Sequence, residues 1–324
     1  MVRDFQLLSI VVPMYNEQEM VRPFFSKLLP ILDALNNDFE IICVNDGSCD
    51  DTLKVLLELQ QKHSKIVIID LHKNFGKEAS LTAGLEYSKG DIVIPIDADL
   101  QDPPALIPKL IEEWKNGADE VLAIRSDRSS DSRMKKITSN IFYMLFNKLS
   151  PLKIEYHAGD FRLIDRCTVE VLLQLPEKNR FMKGLFSWAS NNKTAKVHYT
   201  RQVRAKGTQK WSYWKLINFA IDGITSFSSL PLRIWSYIGL LISGGALIFM
   251  GYIFFKELFF GGHVAGYASL MCAILFLSGV QLISLGVIGE YIARIFNESK
   301  KRPLYIIKKR HGKPPEVLTP NNKN

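Results

Sequence analysis

Apolar and polar positions alternate along residues 1–125 as a series of short apolar runs and longer amphipathic stretches. Short runs rich in β-branched residues are typical of buried strands, and apolar residues at helical spacing are typical of packed helices. The pattern predicts strands over residues 7–13, 40–45, 66–71, 91–96 and 121–124, and helices over residues 17–35, 52–62, 77–88 and 103–116. Such alternation predicts an α/β fold with a mostly parallel sheet and helices on both faces.

Polar clusters follow four of these strands, at the sheet edge where α/β folds bind ligands. They lie at residues 15–17, 45–48, 73–77 and 97–102. In the last cluster Asp97 and Asp99 leave a strand on alternate residues, so their side chains point the same way. Because Mg²⁺ takes oxygen ligands, commonly one or two carboxylates plus substrate phosphates, the pair indicates a site for a divalent cation or the diphosphate it holds. A solvated turn is the alternative that these residues alone leave open.

Two long uncharged segments occupy the C-terminal part of the chain, at residues 234–255 and 264–289. A membrane span needs about 20 mostly apolar residues, so both segments are predicted to cross a membrane. A pair of buried core helices is the alternative. Aromatic residues concentrated at 211–230 predict an interfacial segment. The amphipathic stretch at 134–149 predicts a helix that lies either on the membrane surface or on the sheet.

Charge indicates the compartment and the orientation of the chain. The formal net charge of +8 suits a protein on anionic lipid. Nucleic-acid binding is not predicted, because no groove-reading motif is present. Lys and Arg dominate residues 294–310, so the positive-inside rule predicts a cytoplasmic tail and, after two spans, a cytoplasmic N-terminal region. The four cysteines lack metal-ligand spacing and suit a reducing compartment.

Seven motifs carry a resemblance to a known family. The motifs VVPMYNE at 11–17, VNDGS at 44–48 and DADLQD at 97–102 resemble the inverting family 2 glycosyltransferases of GT-A fold. The motifs NFGKE at 74–78, GDFRL at 159–163, DGITSF at 222–227 and GVIGEY at 286–291 are similar to those of polyprenyl-phosphate glycosyltransferases. Within that group the chain is most similar to the GtrB-like bactoprenol glucosyltransferases of O-antigen modification, with dolichyl-phosphate mannose synthase a more distant relative. The resemblance runs from about residue 7 to about residue 307.

The resemblance implies the reaction and the partners. It implies inverting transfer of a single sugar to undecaprenyl phosphate at the cytoplasmic face of a bacterial inner membrane, for O-antigen or cell-envelope glycan modification. UDP-glucose is the favoured donor, with UDP-galactose, a UDP-N-acetylhexosamine and GDP-mannose as alternatives. Mg²⁺ or Mn²⁺ is the implied cofactor, and a homotetramer the implied assembly. A non-catalytic, membrane-anchored scaffold that binds a nucleotide sugar is the alternative of another class.

The resemblance also implies roles for individual residues. The implied nucleotide-binding residues are Pro13, Tyr15, Glu17, Asp46, Asp97 and Arg204. The implied metal ligands are Asp97, Asp99 and Gln101. The implied lipid-phosphate site consists of Arg125, Arg128, Lys135, Lys136 and Ser139. Asp160 is the candidate general base. Since a phosphomonoester already carries about −1.5 to −2 charge at neutral pH, orienting the acceptor, completing the metal environment or forming a structural ion pair with Arg162 remain alternatives for Asp160.

These features divide the chain into five predicted regions. A cytoplasmic GT-A catalytic domain covers residues 1–210 and an interfacial segment covers 211–232. Transmembrane helices cover 233–256 and 264–293. A basic cytoplasmic tail covers 294–324, and we predict it to be disordered after Lys308 because it becomes polar there.

Two competing enzyme classes lack their signatures in this sequence. No Gly-x-Gly-x-x-Gly fingerprint of nicotinamide-dependent dehydrogenases follows the first predicted strand. Gln-x-x-Arg-Trp, the signature of processive polysaccharide synthases in the same superfamily, occurs nowhere in the chain. Two spans are also too few to form a translocation channel within one chain. A single transfer is therefore the prediction.

Overall fold

The computed structural model describes residues 3–125, 144, 155, 158–178, 180–190, 193–200, 230–260 and 266–312. The strands are β1 (Leu7–Met14), β2 (Asp38–Asn45), β3 (Ile66–Leu71), β4 (Ile92–Pro95), β5 (Glu120–Arg125), β6 (Ala158–Asp165), β7 (Thr194–Tyr199) and β8 (Ile307–His311). The helices are α1 (Gln18–Asp33), α2 (Thr52–Lys62), α3 (Lys77–Tyr87), α4 (Ile107–Lys115), α5 (Arg166–Gln174), α6 (Met182–Ala189), α7 (Leu230–Phe260) and α8 (Tyr267–Ser299).

The eight strands form one sheet in the order β7-β5-β6-β4-β1-β2-β3-β8. β1 pairs in parallel with β2 and β4, β2 pairs in parallel with β3, and β5 pairs in parallel with β7. β6 runs antiparallel to both β4 and β5, and β8 runs antiparallel to β3. The predicted α/β fold with a mostly parallel sheet is confirmed.

Alternate residues of the central strand β1 serve two separate cores. Ile10 and Val12 pack with side chains from α1, α2 and α4 on one face, such as Phe24. Val11 packs on the other face with side chains from α3, α5 and α6, such as Leu81. This follows from the two-residue period of a strand, and it gives the predicted helices on both faces.

The helix predicted over 103–116 begins differently in the structure. Pro104–Leu106 forms a 3₁₀ turn, and the α-helical hydrogen bonds begin only at Ile107. Two prolines at 103 and 104 lack the N–H groups that an earlier helical turn would use. The boundary moves, but the helix still packs on the sheet through buried Leu110 and Trp114.

The reversed strand β6 matters most for the site. Ile92 of β4 lies opposite Asp165 of β6, and Val93 lies opposite Ile164. In an antiparallel pair the start of one strand lies beside the end of the other. The beginning of β6, which carries Asp160, is therefore brought to the carboxyl end of β4, after which Asp97 follows.

The C-terminal region forms two long helices and an edge strand. α7 has 31 residues and α8 has 33. Within the described residues one segment, Phe276–Ser299, is long and apolar enough to cross a membrane, so the two-span arrangement remains a prediction. The predicted interfacial segment over 211–232 lies outside the described residues except where α7 begins, and the amphipathic stretch over 134–149 does so except for Met144.

The prediction of disorder after Lys308 is wrong as far as His311. Residues 307–311 pair with β3, with His311 opposite Ile68 and Arg310 opposite Ile69. The sequence here is basic and has no strand-like alternation. It becomes a strand because β3 would otherwise present an open row of backbone hydrogen-bonding groups.

Candidate active site

One lysine joins the two carboxylates that come from separate motifs. Lys77 Nζ lies 2.8 Å from Asp97 Oδ2 and 2.6 Å from Asp160 Oδ2. Lys77 is the first residue of α3, Asp97 follows β4, and Asp160 lies near the start of β6. Three elements therefore meet at the carboxyl edge of the sheet. We refer to Asp97 and Asp160, with Lys77 between them, as the bridged carboxylates.

The charges of this cluster stabilise one another. Burial alone would raise the pKa of Asp160, but the charges of Lys77 and Lys183 outweigh it and hold that pKa well below its usual range. Burial likewise works against the Lys77 ammonium, yet Asp160 and Asp97 raise the pKa of Lys77 well above its usual value. At neutral pH Asp160 is thus ionised and Lys77 protonated. Asp160 forms its ion pair with Lys77, whereas Arg162 pairs with Glu120. The alternative of an Asp160–Arg162 ion pair is therefore wrong.

Glu78 adds a second carboxyl group, on a half-buried side chain, beside Asp160. Burial first and the charge of Asp160 next raise the pKa of Glu78 to about 8, although Lys77 and Lys183 act in the opposite direction. Its Oε2 atom is buried and has no hydrogen-bond partner. Near neutral pH this group is largely a neutral acid next to an ionised one. Lys77 and Glu78 both lie in the NFGKE motif after the third predicted strand, but neither is among the site residues predicted from the sequence.

Asp46 fixes the turn from which Lys77 projects. Its two carboxylate oxygens accept hydrogen bonds from the backbone N–H groups of Phe75, at 2.7 Å, and Gly76, at 3.0 Å. Burial raises the pKa of Asp46, and these two bonds partly oppose the shift. Gly47 follows with a φ of +62°, and a Cβ there would lie 2.6 Å from the backbone nitrogen of Asn74. The observed role of Asp46 is to hold the β3–α3 turn, while its predicted nucleotide contact stays a prediction.

The turn after β1 is tied to the turn after β2. The backbone N–H of Asn16 donates to Ser48 Oγ at 3.0 Å, and that of Glu17 donates to Thr52 Oγ1 at 2.9 Å. Glu17 also occupies the N-cap position of α1, without a side-chain capping bond. Pro13 and Glu17 are half-buried and Tyr15 is exposed at the same sheet edge as Asp97. Their position is compatible with nucleotide binding, which stays a prediction.

The turn after β4 carries three oxygen-bearing side chains that are partly accessible to solvent. Ala98 and Leu100 are buried, whereas Asp97, Asp99 and Gln101 are half-buried. Asp99 Oδ1 accepts the backbone N–H of Gln101 at 3.0 Å, and Leu100 adopts a φ of +58°. Among the described residues no group of three or more His, Cys, Asp or Glu could hold a metal ion without help. Hard oxygen donors that need further oxygens fit Mg²⁺ or Mn²⁺ completed by substrate phosphates.

Arg125, the last residue of β5, is already engaged in contacts at the carboxyl edge of the sheet. Its Nε donates to Tyr199 Oη at 3.1 Å, and its Nη2 lies 3.5 Å from Asp102 Oδ1. Tyr199 in turn donates to the buried Asp102 carboxylate. Burial would lower the pKa of Arg125, but Asp102 and Tyr199 raise it, so the guanidinium keeps its charge. The remaining predicted ligands lie outside the described residues: Arg128, Lys135, Lys136, Ser139 and Arg204.

Comparison with known proteins decides the family. The sequence profile of glycosyl transferase family 2 matches residues 9–172, which include Lys77, Asp97, Asp160 and the turns after β1, β2 and β4. The chain belongs to glycosyltransferase family 2. It is therefore a glycosyltransferase. The profile of the GtrB C-terminal hairpin matches residues 230–295 of the same chain, which correspond to α7 and most of α8.

Two relatives match this glycosyltransferase over nearly all of its length. An uncharacterised glycosyltransferase of Synechocystis sp. is 51% identical over 300 residues, covering 93% of this chain and 94% of the relative. The SfII prophage-derived bactoprenol glucosyl transferase of Shigella flexneri is 49% identical over 304 residues, covering 94% and 98%. The resemblance to GtrB-like bactoprenol glucosyltransferases, inferred from the motifs, is confirmed.

Solved structures are more distant. A crystal structure of glucosyl-3-phosphoglycerate synthase from Mycobacterium tuberculosis, in complex with Mn²⁺, UDP-glucose and phosphoglyceric acid, has a TM-score of 0.44 and 20% identity. It covers 67% of this chain and 76% of that chain.

Proposed function

We propose that this glycosyltransferase transfers a single glucose from UDP-glucose to undecaprenyl phosphate, with inversion at the anomeric carbon. The observation that carries the proposal is the set of bridged carboxylates at the sheet edge, in a chain 49% identical to a bactoprenol glucosyl transferase over 94% of its length. The product would be a lipid-phosphate-linked sugar that serves O-antigen or cell-envelope glycan modification.

The lipid acceptor lies in a membrane, and the two C-terminal helices have features of membrane-spanning helices. Large apolar side chains are exposed along both helices, including Leu241, Ile248, Phe249, Phe276, Leu282 and Ile292. α7 and α8, with 31 and 33 residues, are each longer than the about 20 residues that span a bilayer. We propose that both helices cross it.

The strand β8 gives an independent reason for two crossings. β8 follows α8 in the chain, yet it pairs with β3 of the catalytic domain. A single crossing would leave β8 and β3 on opposite sides of the bilayer. If α8 crosses, α7 must cross as well. The basic residues that follow α8 favour the cytoplasm for this shared side, at a bacterial inner membrane.

The chemical step is a single displacement. A phosphate oxygen of the acceptor forms a bond to the anomeric carbon, the bond from that carbon to the diphosphate breaks, and its electron pair leaves with UDP. We propose Asp97, Asp99 and Gln101 as ligands for Mg²⁺ or Mn²⁺. Such an ion, when bound, would neutralise charge on the leaving diphosphate.

Asp160 has a different role in this proposal from that of a general base. The acceptor phosphate already carries about −1.5 to −2 charge at neutral pH, so its oxygen needs no base. Lys77 and Lys183 hold the pKa of Asp160 low, which makes it a weak proton acceptor. We propose that Asp160 orients the reacting groups. Arg125 and the four predicted basic or hydroxyl residues outside the described part would hold the lipid phosphate.

A donor panel tests this function. Full-length protein in detergent is given undecaprenyl phosphate and radiolabelled UDP-glucose, UDP-galactose, UDP-N-acetylglucosamine or GDP-mannose, with and without EDTA. We expect label in the lipid phase from UDP-glucose, and its loss with EDTA. Label from another donor alone would change the sugar and keep the reaction class. Protein that binds UDP but labels no lipid would overturn the transfer.

Two further expectations have direct tests. Asp99→Ala separates an enzyme from the scaffold alternative, because an enzyme loses nearly all transfer, whereas a scaffold keeps its biological role. The homotetramer implied by the resemblance also stays a proposal. Light scattering of the detergent-solubilised protein would measure its mass.

A further inference from the structure

The Lys77 ammonium lies where two anionic side chains and the predicted diphosphate site meet. The side chains of Lys77 and Asp97 are 37% and 35% exposed, and that of Asp160 is 18% exposed. The ion pair of Lys77 and Asp97 is therefore accessible from the carboxyl edge of the sheet. Asp97 is also the residue we propose as a metal ligand, so its carboxylate has two candidate cations.

The backbone of Lys77 is fixed, but its side chain has reach. Asp46 binds the backbone N–H groups of Phe75 and Gly76, and Gly76 takes a φ of +96° just before α3 begins. The Cα of Lys77 is thus held in place. Its ammonium sits on a flexible four-carbon stem with three donors, and can change partners without movement of the helix.

Charge accounting couples the two cations. A divalent ion on Asp97 would stand within a few ångströms of Lys77 Nζ, which lies 2.8 Å from that carboxylate, and like charges at such distances repel. A diphosphate adds negative charge that both cations can share. Metal binding without nucleotide is therefore opposed by Lys77, and metal binding with nucleotide is supported by it.

We propose that the Lys77 ammonium competes with the divalent metal for the Asp97 carboxylate. When nucleotide binds together with the metal, the ammonium leaves Asp97 and donates a hydrogen bond to a diphosphate oxygen. This positioning role rests on the proposed function. It makes Lys77 the residue that couples metal binding to nucleotide binding. Because such coupling is reciprocal, Mn²⁺ must raise the affinity for UDP by the same factor as UDP raises the affinity for Mn²⁺.

Binding measurements without turnover test the proposal. Free Mn²⁺ is followed by electron paramagnetic resonance as it is titrated into full-length protein in detergent, with and without UDP. The variants are Lys77→Met, Lys77→Arg and the control Lys65→Met. Lys65 also makes an ion pair, 2.7 Å from Asp38, at a strand end far from the bridged carboxylates.

For wild type and Lys65→Met we expect UDP to strengthen Mn²⁺ binding about tenfold, within the usual range of coupling between sites. For Lys77→Met we expect tighter binding of Mn²⁺ alone and an enhancement by UDP of less than about threefold. Lys77→Arg keeps the positive charge and should retain most of the coupling. This variant therefore distinguishes loss of the charge from damage to the fold. If Lys77→Met binds Mn²⁺ with wild-type affinity both without and with UDP, the inference is overturned and the proposed transfer still stands. Wild-type protein that binds UDP but no Mn²⁺ would overturn both.

Discussion

The buried ion pair of Arg162 and Glu120 permits a quantitative prediction. Arg162 Nη1 lies 2.7 Å from Glu120 Oε1, and the two side chains are 4% and 3% exposed. Arg162 Nη2 also donates to the Gly159 carbonyl at 2.7 Å, and the guanidinium stacks on Phe186 at 4.3 Å from the ring centroid. In Arg162→Met the apolar volume is largely kept, but Glu120 becomes a buried carboxylate without a cation. Breaking a buried pair in this way costs about 3–5 kcal/mol.

Thermal unfolding of the full-length protein in detergent measures this cost. At about 2–4 °C per kcal/mol for a domain of this size, Tm should fall by about 6–20 °C. The matched control is Arg22→Met, because Arg22 and Glu58 form an ion pair whose side chains are 55% and 44% exposed. Exposed pairs contribute about 0–1 kcal/mol, so this control should hardly change Tm.

The double variant Arg162→Met/Glu120→Leu separates the lost pair from the orphaned charge. Since replacing both partners of a buried pair by apolar groups is often neutral, we expect it to recover most of the lost Tm. A fall in Tm for Arg162→Met no larger than that for Arg22→Met would refute this reasoning. The GDFRL motif would then need another explanation for its arginine, two residues after Asp160.

Three smaller predictions concern the carboxyl edge of the sheet. Folding raises the pKa of Glu78 from 4.5 to about 8, so the stabilising contribution of this group is complete below about pH 4.5 and is lost as pH rises through about 8. Glu78→Gln should therefore flatten the fall of Tm between these pH values, and an unchanged slope of Tm against pH would contradict this. Gly47→Ala forces a side chain into a φ of +62° against the turn after β3, and should cost about 1–3 kcal/mol in unfolding experiments and weaken UDP binding in calorimetry. Tyr199→Phe leaves the buried Asp102 carboxylate without its hydroxyl donor, and we expect a loss of about 1–3 kcal/mol in the same unfolding assay, with no loss as the opposing result.

The half of the sheet with local signals could be predicted from sequence. Strands β1 to β5 and their helices carry apolar patterns of the right period, and parallel strands end at one edge. These two regularities are enough to place the polar clusters at 15–17, 45–48, 73–77 and 97–102 together at that edge. Proline shifted only one boundary, at the start of α4.

The rest depended on contacts between distant residues. β6, β7 and β8 were not predicted, because β6 interrupts its apolar pattern with Asp160 and Arg162, and β8 is a basic segment that becomes a strand only at the open edge of β3. The Lys77 link follows from the antiparallel register of β6 against β4, which no local pattern encodes. Asp160 itself was recognised only through the family resemblance.

The most direct test of the account is the rate of glucose transfer from UDP-glucose to undecaprenyl phosphate in three proteins: wild type, Asp97→Asn and Asp160→Asn. All three are purified at full length, and their Tm values are compared first. If the bridged carboxylates are the active centre, each variant should keep its fold and lose about a hundredfold or more in rate, the usual cost of removing a group that acts on the transition state. A folded Asp97→Asn or Asp160→Asn variant that transfers glucose at a rate close to wild type would contradict the account.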